Sequence, residues 1–86
     1  MPTLEHLLNP RHICLNCMSI KGQAGRCCHC GYDEQWHKNH PLYLKPRTLL
    51  KNQYWVGKAL GQGGFGITYI GLDQWLRKRV AIKEFL

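Results

Sequence analysis

From Leu49 onward, apolar and polar residues alternate with a period of two, the spacing of a strand with one buried face. Three runs carry it, residues 53–60, 67–72 and 79–86. They are separated by a glycine-rich segment and by polar residues 73–78, which predicts a three-stranded antiparallel β-meander. The N-terminal part lacks this alternation. Thr3 is placed to cap a short helix with Leu4, Leu7 and Leu8 on one face, ended by Asn9-Pro10, so residues 1–11 read as a short helix or tail. Residues 12–34 hold two cysteine pairs around the reversal Lys21-Gly22-Gln23-Ala24-Gly25, a pattern for two knuckles joined by a hairpin. Residues 35–47 are polar and carry Pro41 and Pro46, which predicts a linker or a draped extended segment; Trp36 and Tyr43 argue that it packs.

The cysteine pairs change this picture from weak structure to a metal-stapled unit. Cys14-Leu15-Asn16-Cys17 and Cys27-Cys28-His29-Cys30 stand nine residues apart. One tight C-x-x-C turn offers two sulfurs to the same ion, and its backbone N–H groups point at them. Four thiolates at tetrahedral corners suit Zn²⁺, so Cys14, Cys17, Cys27 and Cys30 are the expected ligands, with other ligands or disulfides as the alternatives. Gly31 after the second pair suits the positive φ such a knuckle needs, and Met18 after the first suits it less. Cys28 and His29 lie between ligands and read as a spare thiol and an exposed imidazole. A free-standing unit below about 40 residues usually needs such a staple. The segment resembles the short zinc ribbons at the ends of many bacterial proteins, with the four cysteines and Cys30-Gly31-Tyr32-Asp33 on matching positions. That resemblance implies a structural ion, a surface for recognition of a protein partner, and no metal-based catalysis.

Charge narrows the partners only a little. Twelve Lys and Arg against five Asp and Glu give a formal +7; four zinc-bound thiolates would leave about +5. Arg77-Lys78-Arg79 is the only basic run, so no nucleic-acid stripe is written in one place. No stretch approaches the roughly 20 apolar residues of a membrane span, and residues 1–10 lack the features of a secretory signal. The expectation is a cytoplasmic protein, where C-x-x-C pairs hold metal.

The second constellation is Leu60-Gly61-Gln62-Gly63-Gly64-Phe65-Gly66-Ile67-Thr68-Tyr69, followed by Val80-Ala81-Ile82-Lys83. A β-branched strand follows Gly66, whereas a dinucleotide-binding turn needs a helix there, and no Gly-Lys-Ser/Thr follows the glycines as in a Walker-type loop. Gly66 precedes Lys83 by seventeen residues. In this order and spacing the two motifs resemble the first three strands of a protein kinase small lobe of the bacterial serine/threonine type, over about residues 48–86. The resemblance implies that Gly61, Gly63, Gly64 and Gly66 let the backbone approach ATP phosphates and that Phe65 caps the loop tip. It further implies that Leu60, Thr68 and Ala81 line the adenine site and that Lys83 reaches the α- and β-phosphates. Thr68 departs from the usual Val.

The resulting expectation is a mainly-β chain: a small zinc ribbon at 12–34, a linker at 35–47, and an incomplete kinase small lobe at 48–86. The catalytic loop and the magnesium-binding D-F-G segment do not occur in these residues. The chain is therefore expected to be a fragment inactive in phosphoryl transfer, with ATP and Mg²⁺ belonging to a complete parent and ATP binding weak or absent here. Ile67, Tyr69, Ile70, Val80, Ile82 and Phe85 are expected to have at most one covered face, and an unpaired last strand invites self-association. The alternative is a zinc-stapled basic module that binds nucleic acid or an acidic protein.

Overall fold

A computed structural model of the chain describes residues 10–20, 26–37 and 39–85. The expected helix over Leu4 to Leu8 and the reversal at 21–25 lie outside the described residues. The rest is mainly β: a curled antiparallel sheet of four strands, not three. The strands are β1 (Leu49–Leu50), β2 (Tyr54–Gly63), β3 (Gly66–Asp73) and β4 (Lys78–Phe85), side by side in chain order.

The additional strand comes from a tight hairpin. Leu49 pairs with Trp55 and Leu50 with Tyr54. The turn between them places Lys51 and Asn52 at φ 52° and 55°. Two successive positive φ values give the backbone twist that joins antiparallel strands, but Lys is an unusual residue for it. The glycine segment also differs from a loop. Gly63 pairs with Gly66, so β2 and β3 run almost to the tip and only Gly64 and Phe65 form the turn. Register shifts on either side of Ala59 interrupt the β2–β3 ladder, and such bulges increase local twist.

Both faces of the sheet are partly covered, a correction to the expectation of one covered face at most. On one face Val56, Ile67 and Tyr69 form a buried cluster beneath Tyr43 and Leu44, so residues 40–46 act as a strap. The Tyr69 hydroxyl accepts a hydrogen bond from Leu44 N (3.0 Å) and donates one to Glu84 Oε1 (2.7 Å), which satisfies the phenol of a buried ring. On the other face Ile13 and Met18 pack with Leu72 against Trp55 and Ile70. Full burial of each such side chain is worth about 1.5–3 kcal/mol. The cysteine segment thus supplies sheet cover.

Backbone contacts join the two parts. Lys58 N donates to Leu15 O (3.0 Å). Gly57 sits where a Cβ would come within 2.8 Å of Ile70 Cγ2, Leu15 O and Met18 Sδ, so only glycine lets the knuckle approach β2 this closely. Arg47, at φ 64°, donates to the carbonyls of Pro10 and Ile13 and to the Glu34 carboxylate, clasping the approach to β1 onto the cysteine segment. Among the described residues β4 pairs with β3 alone, leaving its other side as an edge.

Candidate metal centre

The two cysteine pairs fold as repeats of one local structure. Met18 N donates to Cys14 O and Gly31 N to Cys27 O, both at 2.9 Å. Cys14 N donates to Ser19 O (2.9 Å) and Cys27 N to Tyr32 O (2.8 Å), and the bridges Ile13–Ile20 and Arg26–Asp33 close each turn. Both closing residues are left-handed, Met18 at φ 63° and Gly31 at φ 80°. Glycine enters that region freely, whereas Met18 does so at a cost of about 1 kcal/mol. Its side chain offsets this by burial against Leu72 and the backbone of Gly57.

These turns converge four sulfurs. The Sγ atoms of Cys14, Cys17, Cys27 and Cys30 all lie within 4.8 Å of one another. Cys14 and Cys30 are 3.7 Å apart, and Cys17 and Cys27 3.8 Å. A tetrahedral zinc with Zn–S bonds of about 2.3 Å places its sulfurs about 3.8 Å apart, so the cage has the right size. Backbone N–H groups of Asn16 and His29 reach Cys14 Sγ (3.4 Å) and Cys27 Sγ (3.3 Å), and Asn16 Nδ2 reaches Cys30 Sγ (3.4 Å). Such donors stabilise thiolate ligands.

Electrostatics differ among the four sulfurs. Burial pushes the Cys14 thiol up to about 12, against the pull of the Cys17 and Asn16 backbone N–H groups. The Asn16 side-chain amide, with the Tyr32 backbone N–H, brings Cys30 down to about 6. Cys27 is partly held up by burial, but the N–H groups of Cys30 and His29 bring it below its ordinary value. Four thiolates this close repel one another unless a cation sits among them. The residues present therefore fit Zn²⁺, and four protein ligands leave no open position for substrate. Cys28 and His29 are exposed and outside the cluster.

The glycine-motif residues occupy the free end of the same sheet face. Cross-strand pairing sets Gly61 opposite Thr68 and Thr68 opposite Lys83, one row over three strands. Ala81 pairs with Ile70, and Ala81 and Lys83 are exposed, alternating with half-buried Val80, Ile82 and Glu84. Leu60 is half-exposed in β2, and Gly64 and Phe65 form the tip, where Phe65 is 81% exposed. The space a Cβ would take at Gly61, Gly63 and Gly64 is open. Gly66 differs: at φ 146°, its Cβ would stand 1.9 Å from Glu84 O. The fold needs glycine at 66, while no neighbouring atom demands it at 61 or 63.

Several contributors escape sequence reasoning. Arg47 carries no motif, because its three acceptors come from distant positions. Gly57 left a trace, a glycine inside an otherwise alternating strand. A cation–aromatic ladder was also silent. Arg26 lies over the Trp36 ring (5.3 Å), Trp36 meets Tyr32 edge-on (5.9 Å), and Lys58 lies over Tyr32 (5.3 Å). Among the described residues no helix is long and apolar enough to cross a membrane. No family model, curated protein or solved structure matches this chain, so what is established about it is a mainly-β sheet joined to a four-cysteine cluster able to hold a metal ion.

Proposed function

We propose that this chain is a zinc-stapled basic binding module whose metal orders a surface offered to an acidic partner. The observation that carries it is the closed cage of four sulfurs, Cys14, Cys17, Cys27 and Cys30, at tetrahedral spacing. With all coordination positions taken, the ion supports folding rather than reaction. The net positive charge, about +5 with four zinc-bound thiolates, supplies the attraction. Protein purified under reducing conditions is expected to carry one zinc per chain by elemental analysis. Cys14→Ser and Cys27→Ser are expected to lose it, and Cys28→Ser to keep it. Stoichiometric zinc in Cys14→Ser protein would remove this assignment.

A second reading is favoured by the row Gly61–Thr68–Lys83 and the open space over Gly61 and Gly63. Glycine inside a strand weakens it by about 0.5–1 kcal/mol, and without a steric need it fits a place where a ligand meets backbone. On this reading β2 to β4 form the nucleotide-gripping part of a serine/threonine protein kinase small lobe. Gly61, Gly63, Gly64 and Gly66 would lie against ATP phosphates with Phe65 at the tip. Leu60, Thr68 and Ala81 would lie against adenine, with Lys83 on the α- and β-phosphates; Mg²⁺ and the remaining machinery would come from a longer parent. The domain limits 12–34, 35–47 and 48–86 and cytoplasmic residence belong to the same proposal. Titration with a fluorescent ATP analogue separates the two readings. Weak binding abolished by Lys83→Met supports the nucleotide grip, and binding indifferent to Lys83 counts against it.

A further inference from the structure

Beside the first knuckle, away from the glycine row, a groove of about 650 Å³ opens between the cysteine segment and the β3–β4 turn. Ile20 contributes exposed apolar surface above the buried Met18 and Leu72, and Arg77, Lys78 and Arg79 contribute charge. This is the one basic run of the sequence, brought by folding against the metal-ordered knuckle. Among the described residues, none that lines the groove is acidic.

Inside the molecule the described carboxylates are engaged elsewhere. Asp33 faces Arg26, Glu34 binds Arg47, and Glu84 accepts from Tyr69. Asp73 is closest. Its Oδ1 accepts from Trp75 N and Leu76 N, its Oδ2 accepts from Gln53 Nε2, and it pairs across the strands with Lys78. Arg77 and Arg79 thus face solvent with their charge unmatched by these groups.

The turn carrying them is held firmly. Arg77 adopts φ 56° and donates its N–H to Asp73 O (2.7 Å). Gln74 donates to the carbonyls of Gln53 and Asn52 and accepts from Trp55 Nε1. A preformed turn loses little entropy when a ligand binds it. A left-handed arginine is also a backbone cost where Asn or Gly would cost less.

We propose that this groove docks a short acidic peptide segment with an apolar anchor, supplied by a partner protein. Carboxylates meet the guanidinium groups of Arg77 and Arg79, which suit them in paired hydrogen bonds. An aliphatic side chain packs on exposed Ile20, above the buried Met18 and Leu72. The lining favours a peptide over nucleic acid: none of the described residues lining the groove is aromatic, exposed Trp75 of the same turn lying outside them, and the cationic rim is short. This inference rests on the basic-module reading and names its surface and partner.

The test uses the zinc-loaded full chain and fluorescence anisotropy. The probes are a labelled Glu/Leu-alternating peptide, oligoglutamate and oligo-dT of the same length. Arg77→Glu with Arg79→Glu is compared with Lys45→Glu with Lys51→Glu, an equal charge change at exposed sites elsewhere. Arg79→Glu alone, which leaves the left-handed position untouched, guards against misfolding, and zinc content is checked for each. The expected result is peptide binding weakened about tenfold or more by the groove double variant and about twofold or less by the control. Oligoglutamate binds less tightly than the Glu/Leu peptide.

Equal losses in both double variants overturn the groove while leaving a generally basic module. Tighter, Arg79-dependent binding of oligo-dT overturns the peptide assignment. Absence of binding to every anion overturns the underlying reading and the groove together.

Discussion

Gly66 shows how one backbone angle separates a structural glycine from the others in its motif. With φ at 146° and Glu84 O in the way of a Cβ, Gly66→Ala is expected to cost about 3 kcal/mol or more. Gly61→Ala and Gly63→Ala meet open space and are expected to be neutral or stabilising by up to about 1 kcal/mol. Urea denaturation of the three variants checks the contrast, and equal losses would contradict it. The sequence displays all these glycines alike; only the nearness of β4 sorts them. His37 is a second residue visible only in three dimensions. Its Nδ1 is buried without a hydrogen-bond partner among the described residues, and burial moves its pKa below the ordinary 6.5. Glu34 opposes the shift while Arg47 and Lys58 add to it. The folded state therefore favours neutral imidazole, and around pH 6 the unfolded chain binds more protons. Stability should be full above pH 6.5 and fall as pH drops through the depressed folded value. An NMR titration of the His37 ring with a midpoint at or above 6.5 would refute this.

At the scale of elements, period-two alternation located β2, β3 and β4 to within a few residues, although only β4 alternates in burial, β3 being covered on both sides and the far half of β2 exposed. It missed the pairing of β1, whose two leucines carry no period and whose turn uses Lys51 and Asn52 in the left-handed region. It also missed the seam between the first knuckle and β2. Gly57→Ala would press a methyl against the backbone of Leu15 and the side chain of Ile70, while the Met18 thioether can yield. A loss of about 2 kcal/mol is expected, typical of overpacking at a tight contact, measured by thermal unfolding of the zinc-loaded protein. An unchanged midpoint would mean that the seam is loose.

For the whole molecule the proposed metal would be coupled to the sheet. Ile13 and Met18 are held by knuckles that four sulfurs organise, and they cover Leu72, Trp55 and Ile70. Chelation at neutral pH should therefore disturb the sheet as well as residues 12–34. With Trp36 and Trp75 replaced by Phe, Trp55 emission is expected to shift together with zinc release. Emission unchanged after complete release would show that the sheet stands alone. The sequence by itself determined the local chemistry: two C-x-x-C turns carry their sulfur spacing in the chain, and alternation fixes which strand residues share a face. Only the tertiary structure decided what those faces meet. The strap over Tyr69, the clasp of Arg47 and the groove beside Arg79 each join residues far apart in sequence, and contact between distant segments depends on shape and burial that no local pattern encodes.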